Sequence, residues 1–189
     1  MKIILGSSSP WRQKVLRGMG YDFEIISPDI DEKAIRHPDP RELTTAIATA
    51  KNEAVAKRVG EPAIIITSDQ VVICNGEIRE KPVDEAEARK FLNSYSTYPA
   101  ETCTAVVVTN TETGKQERGI DIAKVYFKFI PEEVIDNLIK EGNVMYVGGG
   151  FMSEDPLLDP YVLRMEGTLD SVMGMPKELT KKLIDSVLN

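Results

Sequence analysis

The chain has 189 residues, 42% of them hydrophobic, with 30 acidic and 23 basic side chains and a formal charge of -7. That content supports an ordinary core in one compact domain over residues 1–189, and a negative surface without a basic stripe disfavours nucleic-acid polymers as partners. No stretch approaches the ~18 apolar residues of a membrane span, and the N-terminus lacks the basic-then-apolar pattern of a signal peptide, so a soluble, cytoplasmic protein without a membrane partner is expected.

Lys2-Ile3-Ile4-Leu5 reads as a short buried strand and Pro10 to Gly20 as a helix, with Ser9 as N-cap and Pro10 where its missing N–H costs nothing. Between them lies Gly6-Ser7-Ser8-Ser9. Free backbone N–H groups, hydroxyls and the positive end of a helix there suit a phosphate or carboxylate; a well-capped helix start is the plainer alternative. Arg12 sits in the first turn, a place the dipole disfavours unless an anion binds. The stretch is neither a Walker loop nor a dinucleotide fingerprint. Trp11, Val15 and Met19 recur at four-residue spacing, which assigns Trp11 to the core.

Phe23 to Ile26 reads as a second strand, followed by the carboxylate loop Asp29, Asp31 and Glu32, either a solvated turn or a magnesium or manganese ligand set. His37 is the one histidine and lies in a polar turn, which argues against a Ser-His-Asp triad and a His-based metal site. Asp39-Pro40-Arg41-Glu42 opens a helix to about Val59 with Leu43, Ile47, Ala50 and Ala54 as its apolar face. Lys51 stands on the flank of that face, where it either snorkels to water or reaches a ligand phosphate.

Ala63 to Cys74 is the most apolar strand, yet Ser68-Asp69-Gln70 interrupts it. A carboxylate there must be hydrogen-bonded, bind metal or face a cleft, and the reading favours function. Asn75-Gly76 signals a two-residue hairpin returning through Glu77 to Glu80, which would bring Lys81 back near Asp69. Asp84 to Ser94 reads as a helix, Ala100 to Asn110 and Gln116 to Phe129 as an antiparallel pair, and Pro131 to Glu141 as a helix stopped by Gly142. Residues 143–160 read as a long lid or binding loop, Tyr161 to Glu166 as a last strand, and Pro176 opens a C-terminal helix. Cys74 and Cys103 read as buried free thiols. Hairpins alternating with helices predict an α/β fold with a mixed, strongly twisted sheet flanked by helices.

In this order the pieces Ser-Ser-Ser-Pro-Trp-Arg (7–12), Asp-Ile-Asp-Glu (29–32), Ala-Lys-Asn-Glu-Ala (50–54), Ser-Asp-Gln-Val (68–71), Glu-Lys-Pro (80–82), Gly-Phe-Met-Ser-Glu (150–154), Met-Glu-Gly (165–167) and Val-Met-Gly-Met-Pro (172–176) resemble the Maf family of nucleoside triphosphate pyrophosphatases. The resemblance implies two lobes around a nucleotide-binding cleft, as in Maf and Ham1 proteins, and hydrolysis between the α and β phosphates of a nucleotide. It implies Asp69 as the catalytic carboxylate or a holder of the metal, Arg12, Lys51 and Lys81 on the phosphates, Ser7, Ser8 and Ser9 as their cradle, and Glu32 on a divalent cation, Mg2+, Mn2+ or Co2+. A homodimer is compatible with it.

Within the family, Trp11, Gln70 and Glu154 resemble the branch linked to 7-methyl-GTP; the branch linked to dTTP and UTP tends to carry Arg, Thr and Gln there. Gln13 departs from the family in replacing a common second arginine, and Asp155-Pro156-Leu157-Leu158-Asp159-Pro160 is less glycine-rich than its pattern. Two other classes stay open: a nucleotide-binding regulator of cell division that does not hydrolyse, and a hydrolase with a serine nucleophile from Ser7 to Ser9, which lacks a histidine base.

Overall fold

The computed structural model describes residues 1–189, whose strands are β1 Lys2–Leu5, β2 Glu24–Ile25, β3 Ala63–Cys74, β4 Glu77–Arg79, β5 Ala100–Asn110, β6 Gln116–Phe127 and β7 Val162–Glu166. The helices are α1 Pro10–Gly18, α2 Pro40–Ala56, α3 Glu85–Ser94, α4 Glu132–Glu141, α5 Leu169–Val172 and α6 Lys177–Leu188. The strands form one mixed seven-stranded sheet in the order β2-β1-β3-β5-β6-β7, with β4 paired to β3 off that path. β1 runs parallel to β2 and β3, whereas β3 with β4 and β6 with β7 are antiparallel. The mixed α/β sheet expected from the sequence is therefore present. No helix is long and apolar enough to cross a membrane.

The chain divides into two compact units, residues 1–70, 104–121 and 173–189 in the first and 71–103 and 122–172 in the second, so β3, β5 and β6 contribute to both. In the first unit, side-chain alternation along β3 sends Ile64 and Ile66 to a core with Val15 and Leu16 of α1 and Leu183, Ile184 and Val187 of α6. Ile65 goes to the other face, packed with Ile4 and with Val55 of α2. Gly6 closes the turn out of β1 because a Cβ there would lie 2.5 Å from Thr67 Cγ2. In the second unit Tyr95, Phe127 and Phe151 stack with ring centroids 5.2 to 5.8 Å apart, among Phe91, Val125, Ile135 and Leu138. Asn75 and Gly76 take φ of 50° and 78°, the two left-handed residues of a tight hairpin, which pairs Cys74 with Glu77.

Several element ends move inward from the sequence reading: α1 stops at Gly18, α2 at Ala56 and β6 at Phe127, and β2 keeps only two residues. The stretch 143–160 is not an open loop. It holds 3-10 turns at Asn143–Tyr146, Gly148–Gly150 and, at its end, Asp159–Tyr161, and it buries Val144, Phe151 and Leu158 in the second unit's core. α5 had no periodic signal, being one turn long. Cys74 and Cys103 are buried and free, as expected.

Candidate active site

Two cations occupy apolar positions of their helices. In α1 the inward face is Val15, Leu16 and Met19, and Arg12 precedes them at the three-, four- and seven-residue spacing that places it on the same face. Trp11 falls to the side of that face and is half-buried outside the core cluster, which corrects its assignment to the core: a four-residue step advances 400°, so the Trp11 side chain lags the stripe by about 40° per turn. In α2 the buried residues are Leu43, Thr44, Ile47, Ala48, Lys51, Asn52 and Val55, whereas Ala50 and Ala54 are only half-buried. Lys51 therefore lies on the buried face, not on its flank.

At 6% exposure Lys51 cannot snorkel to water, and its ammonium is met by carboxylates from two other elements. Its Nζ donates to Asp69 Oδ1 at 2.7 Å and lies 2.8 Å from Glu32 Oε2. Asp69, 7% exposed, faces α2 because strand alternation turns it to the same side as Thr67, whose hydroxyl donates to the Ala48 carbonyl. Burial pushes the Asp69 carboxyl above its ordinary range, while the positive charges of Lys51 and Arg12 hold it down in part. Burial likewise lowers the Arg12 guanidinium, opposed by Asp69 and Glu32.

The serine loop is organised around Arg12. Ser9 caps α1 by accepting from the Arg12 backbone N–H at 3.4 Å. Ser7 Oγ accepts from the Ser9 N–H at 3.2 Å and from Arg12 Nη1 at 3.5 Å; Ser8 is exposed and its carbonyl accepts from Gln13 Nε2. Arg12 Nε donates to the Gly174 carbonyl at 3.1 Å. Of the carboxylate loop only Glu32 turns to Lys51; Asp29 is exposed and Asp31 caps the 3-10 turn Glu32–Ala34 through the Lys33 N–H. His37 is exposed and accepts from the Asp39 N–H. Gln70 donates to Thr104 Oγ1 at 2.7 Å. Lys81, exposed just past β4, and Glu154, half-buried and accepting from Ser153 Oγ at 3.4 Å, both stand in the second unit.

A family model described as Maf-like protein matches residues 2–187. The chain belongs to the Maf family. A 7-methyl-GTP pyrophosphatase of Dictyostelium discoideum is 50% identical over 192 aligned residues, covering 98% of this chain and 96% of that relative. A dTTP/UTP pyrophosphatase of Vibrio vulnificus is 31% identical with 97% of both chains covered, and a 7-methyl-GTP pyrophosphatase of Idiomarina loihiensis is 35% identical over 82% of this chain and 78% of its own. Among solved structures the Staphylococcus aureus Ham1 protein aligns over all of this chain and 98% of its own at 14% identity, with a TM-score of 0.49.

The donor set of this Maf protein fits a magnesium-like ion in one respect. Glu32 and Asp69 already direct one oxygen each at the single Lys51 ammonium, and hard divalent ions are commonly held by one or two carboxylates with phosphate oxygens completing the shell. No group of three or more His, Cys, Asp or Glu side chains is poised to hold an ion, so substrate oxygens and water would have to supply the rest. One neighbour of the site, Thr104, went unread in the sequence, and Ser68 and Gly174 stood in the family-like stretches without a role. Thr104 and Gly174 lie far from Gln70 and Arg12 along the chain, and no local pattern pairs them.

Proposed function

We propose that this Maf protein is a divalent-metal-dependent pyrophosphatase that converts 7-methyl-GTP to 7-methyl-GMP and pyrophosphate. The coarse activity, hydrolysis of nucleoside triphosphates, is the one its relatives are named for. The observation that carries the reading is the pairing of buried Lys51 and Asp69 with Glu32 beside Arg12. A cation buried against two carboxylates can change partners: phosphate oxygens compete for Lys51 and release Asp69 as a base.

In this reading Arg12, Lys51 and Lys81 neutralise the triphosphate, whose charge otherwise repels a nucleophile, and the Ser7 to Ser9 segment approaches it with its hydroxyls and N–H groups. Water attacks the α-phosphorus; the new bond is oxygen to phosphorus, the α-β anhydride bond breaks, and its electron pair leaves on pyrophosphate. Asp69 takes the proton from the attacking water, a role that its raised proton affinity favours. Glu32 would hold the divalent ion, with Asp69 beside it as the alternative to its role as base, and the ion would polarise phosphate oxygens and make bound water more acidic.

Base choice rests on Trp11, Gln70 and Glu154. 7-Methylguanine is cationic, and the half-buried Trp11 indole already has a cation, Lys14 Nζ, 5.9 Å from its ring centroid. The Glu154 carboxylate can accept from guanine N1–H and the exocyclic amine together, a donor pair that uracil and thymine lack. The test is a nucleotide panel scored for pyrophosphate release with Mg2+, Mn2+, Co2+ or chelator. Release from 7-methyl-GTP ahead of dTTP and UTP, abolished by chelator, is expected, and Glu154→Gln narrows that preference. Preference for dTTP or UTP overturns the substrate assignment, activity in chelator overturns the metal, and tight binding without turnover favours a regulator.

A further inference from the structure

Arg12 is gripped most closely at Nε, by the Gly174 carbonyl at 3.1 Å, and more loosely at Nη1, by Ser7 Oγ at 3.5 Å. The Gly174 carbonyl oxygen accepts from Arg12 Nε at 3.1 Å and from Ser68 Oγ at 2.8 Å, so both of its lone pairs are used and its direction is set. Ser68 is fully buried on β3 and precedes Asp69, so alternation turns the two to opposite faces: Asp69 to Lys51 and Ser68 to Gly174. Gly174 has φ of +82°, and a Cβ there would stand 3.3 Å from Arg12 Nε, 3.4 Å from Arg12 Nη2 and 3.4 Å from Gln70 Oε1. The residue at 174 thus has to be small and left-handed for the Arg12 side chain to lie where it does.

We propose that Ser68 and Gly174 are positioning residues for Arg12: they commit its Nε inward and so present the N–H groups of Nη1 and Nη2 as a fixed fork for two phosphate oxygens. The proposal rests on the reading that Arg12 takes a substrate phosphate. A guanidinium binds phosphate best through two parallel N–H bonds, and holding the fork before the ligand arrives removes the cost of ordering a long side chain. The dipeptide Ser68-Asp69 then serves the site twice, the carboxylate on one face of β3 and the arginine's anchor on the other. Val172-Met173-Gly174-Met175-Pro176, which had no assigned role, supplies the carbonyl.

Binding of inorganic pyrophosphate, followed calorimetrically on the full chain, tests this in a cycle of wild type, Ser68→Ala, Arg12→Ala and the double variant. Ser68→Ala weakens pyrophosphate binding about fivefold to tenfold, as expected for one hydrogen bond to a charged group's support, and raises KM in the same proportion while kcat is largely kept. In the Arg12→Ala background the same change has no further effect. Equal binding by Ser68→Ala and wild type, or equal weakening in both backgrounds, overturns the proposal. Pyrophosphate binding unchanged by Arg12→Ala overturns the reading of Arg12 itself and the proposal with it. Gly174→Ala is expected to act in the same direction; should it fail to fold, the Ser68 cycle still decides.

Discussion

Each unit buries one strongly basic side chain, and the two differ in which partners hold them most closely. In the first unit Lys51 meets two carboxylates, from β3 and from a 3-10 turn, and the Glu32 partner keeps half of its side chain exposed. In the second, Arg79, 4% exposed, donates through Nη1 to the Phe91 carbonyl and to Ser94 Oγ, with its guanidinium 4.6 Å from the Phe91 ring centroid and 5.1 Å from that of Tyr95. Its one carboxylate neighbour, the half-exposed Glu77, stands 3.6 Å from Nη2, against 2.7 and 2.8 Å for the carboxylates at Lys51, so Arg79 is held chiefly by a carbonyl, a hydroxyl and two rings and is part of the packing. An ammonium held by carboxylates can exchange them for phosphate oxygens, and the carboxylates can turn to a metal, so the Lys51 cluster has partners it can trade. A buried charge points to function through the kind of partner it has.

The sharpest way to break the contrast is Asp69→Asn. It should lower pyrophosphate release by about a thousandfold while the protein stays folded, the scale of losing a general base; turnover equal to wild type removes Asp69 from the mechanism. Arg79→Ala should do the reverse, costing about 3 kcal/mol of stability by denaturant titration, with the folded fraction keeping its substrate ranking. Loss of that ranking in folded Arg79→Ala protein would mean that the aromatic cluster is not purely structural.

Lys51→Met should also cost about 3 kcal/mol, because it leaves Asp69 buried without its partner, but with a pH signature that Arg79→Ala lacks. The Asp69 proton affinity is already raised in the folded protein, and removing Lys51 raises it further. The folded state then holds that proton more tightly than the unfolded chain, so stability falls as pH rises through the raised value and recovers toward acid. Thermal melts of metal-free protein across pH 4 to 8 measure it; a deficit independent of pH contradicts the assignment. The smallest effect is expected from Tyr95→Phe, which removes the 2.6 Å hydrogen bond to the Gly149 carbonyl, keeps the ring stack, and should cost about 1 kcal/mol.

Much of the fold could be read from the sequence because its signals are local. Strand β1, the Ser9-Pro10 helix start, the Asn75-Gly76 hairpin and the Gly142 stop depend on a few adjacent residues, and all are present. The misreadings arose where competing contacts decided. The second half of the α2 face shifted from Ala50 and Ala54 to Lys51 and Val55, as Lys51 meets Asp69 and Asn52 bonds the Ile65 and Val107 carbonyls, so polar residues took buried places that alanines could have filled. The 143–160 segment lacked periodicity yet packed, since Gly149 lies against Val72 and its N–H donates to the Glu80 carbonyl.

The sequence by itself determined that Asp69 interrupts an apolar strand, that Arg12 stands in the first turn of a helix and that Lys51 stands beside an apolar helix face, because period-two and period-3.6 patterns are properties of neighbouring residues. Only the tertiary structure decided that Lys51 meets Asp69 and Glu32 together, and that Arg12 is held by a carbonyl 162 residues away. Those meetings depend on strand order and on where α1 and α2 dock, which no local period encodes.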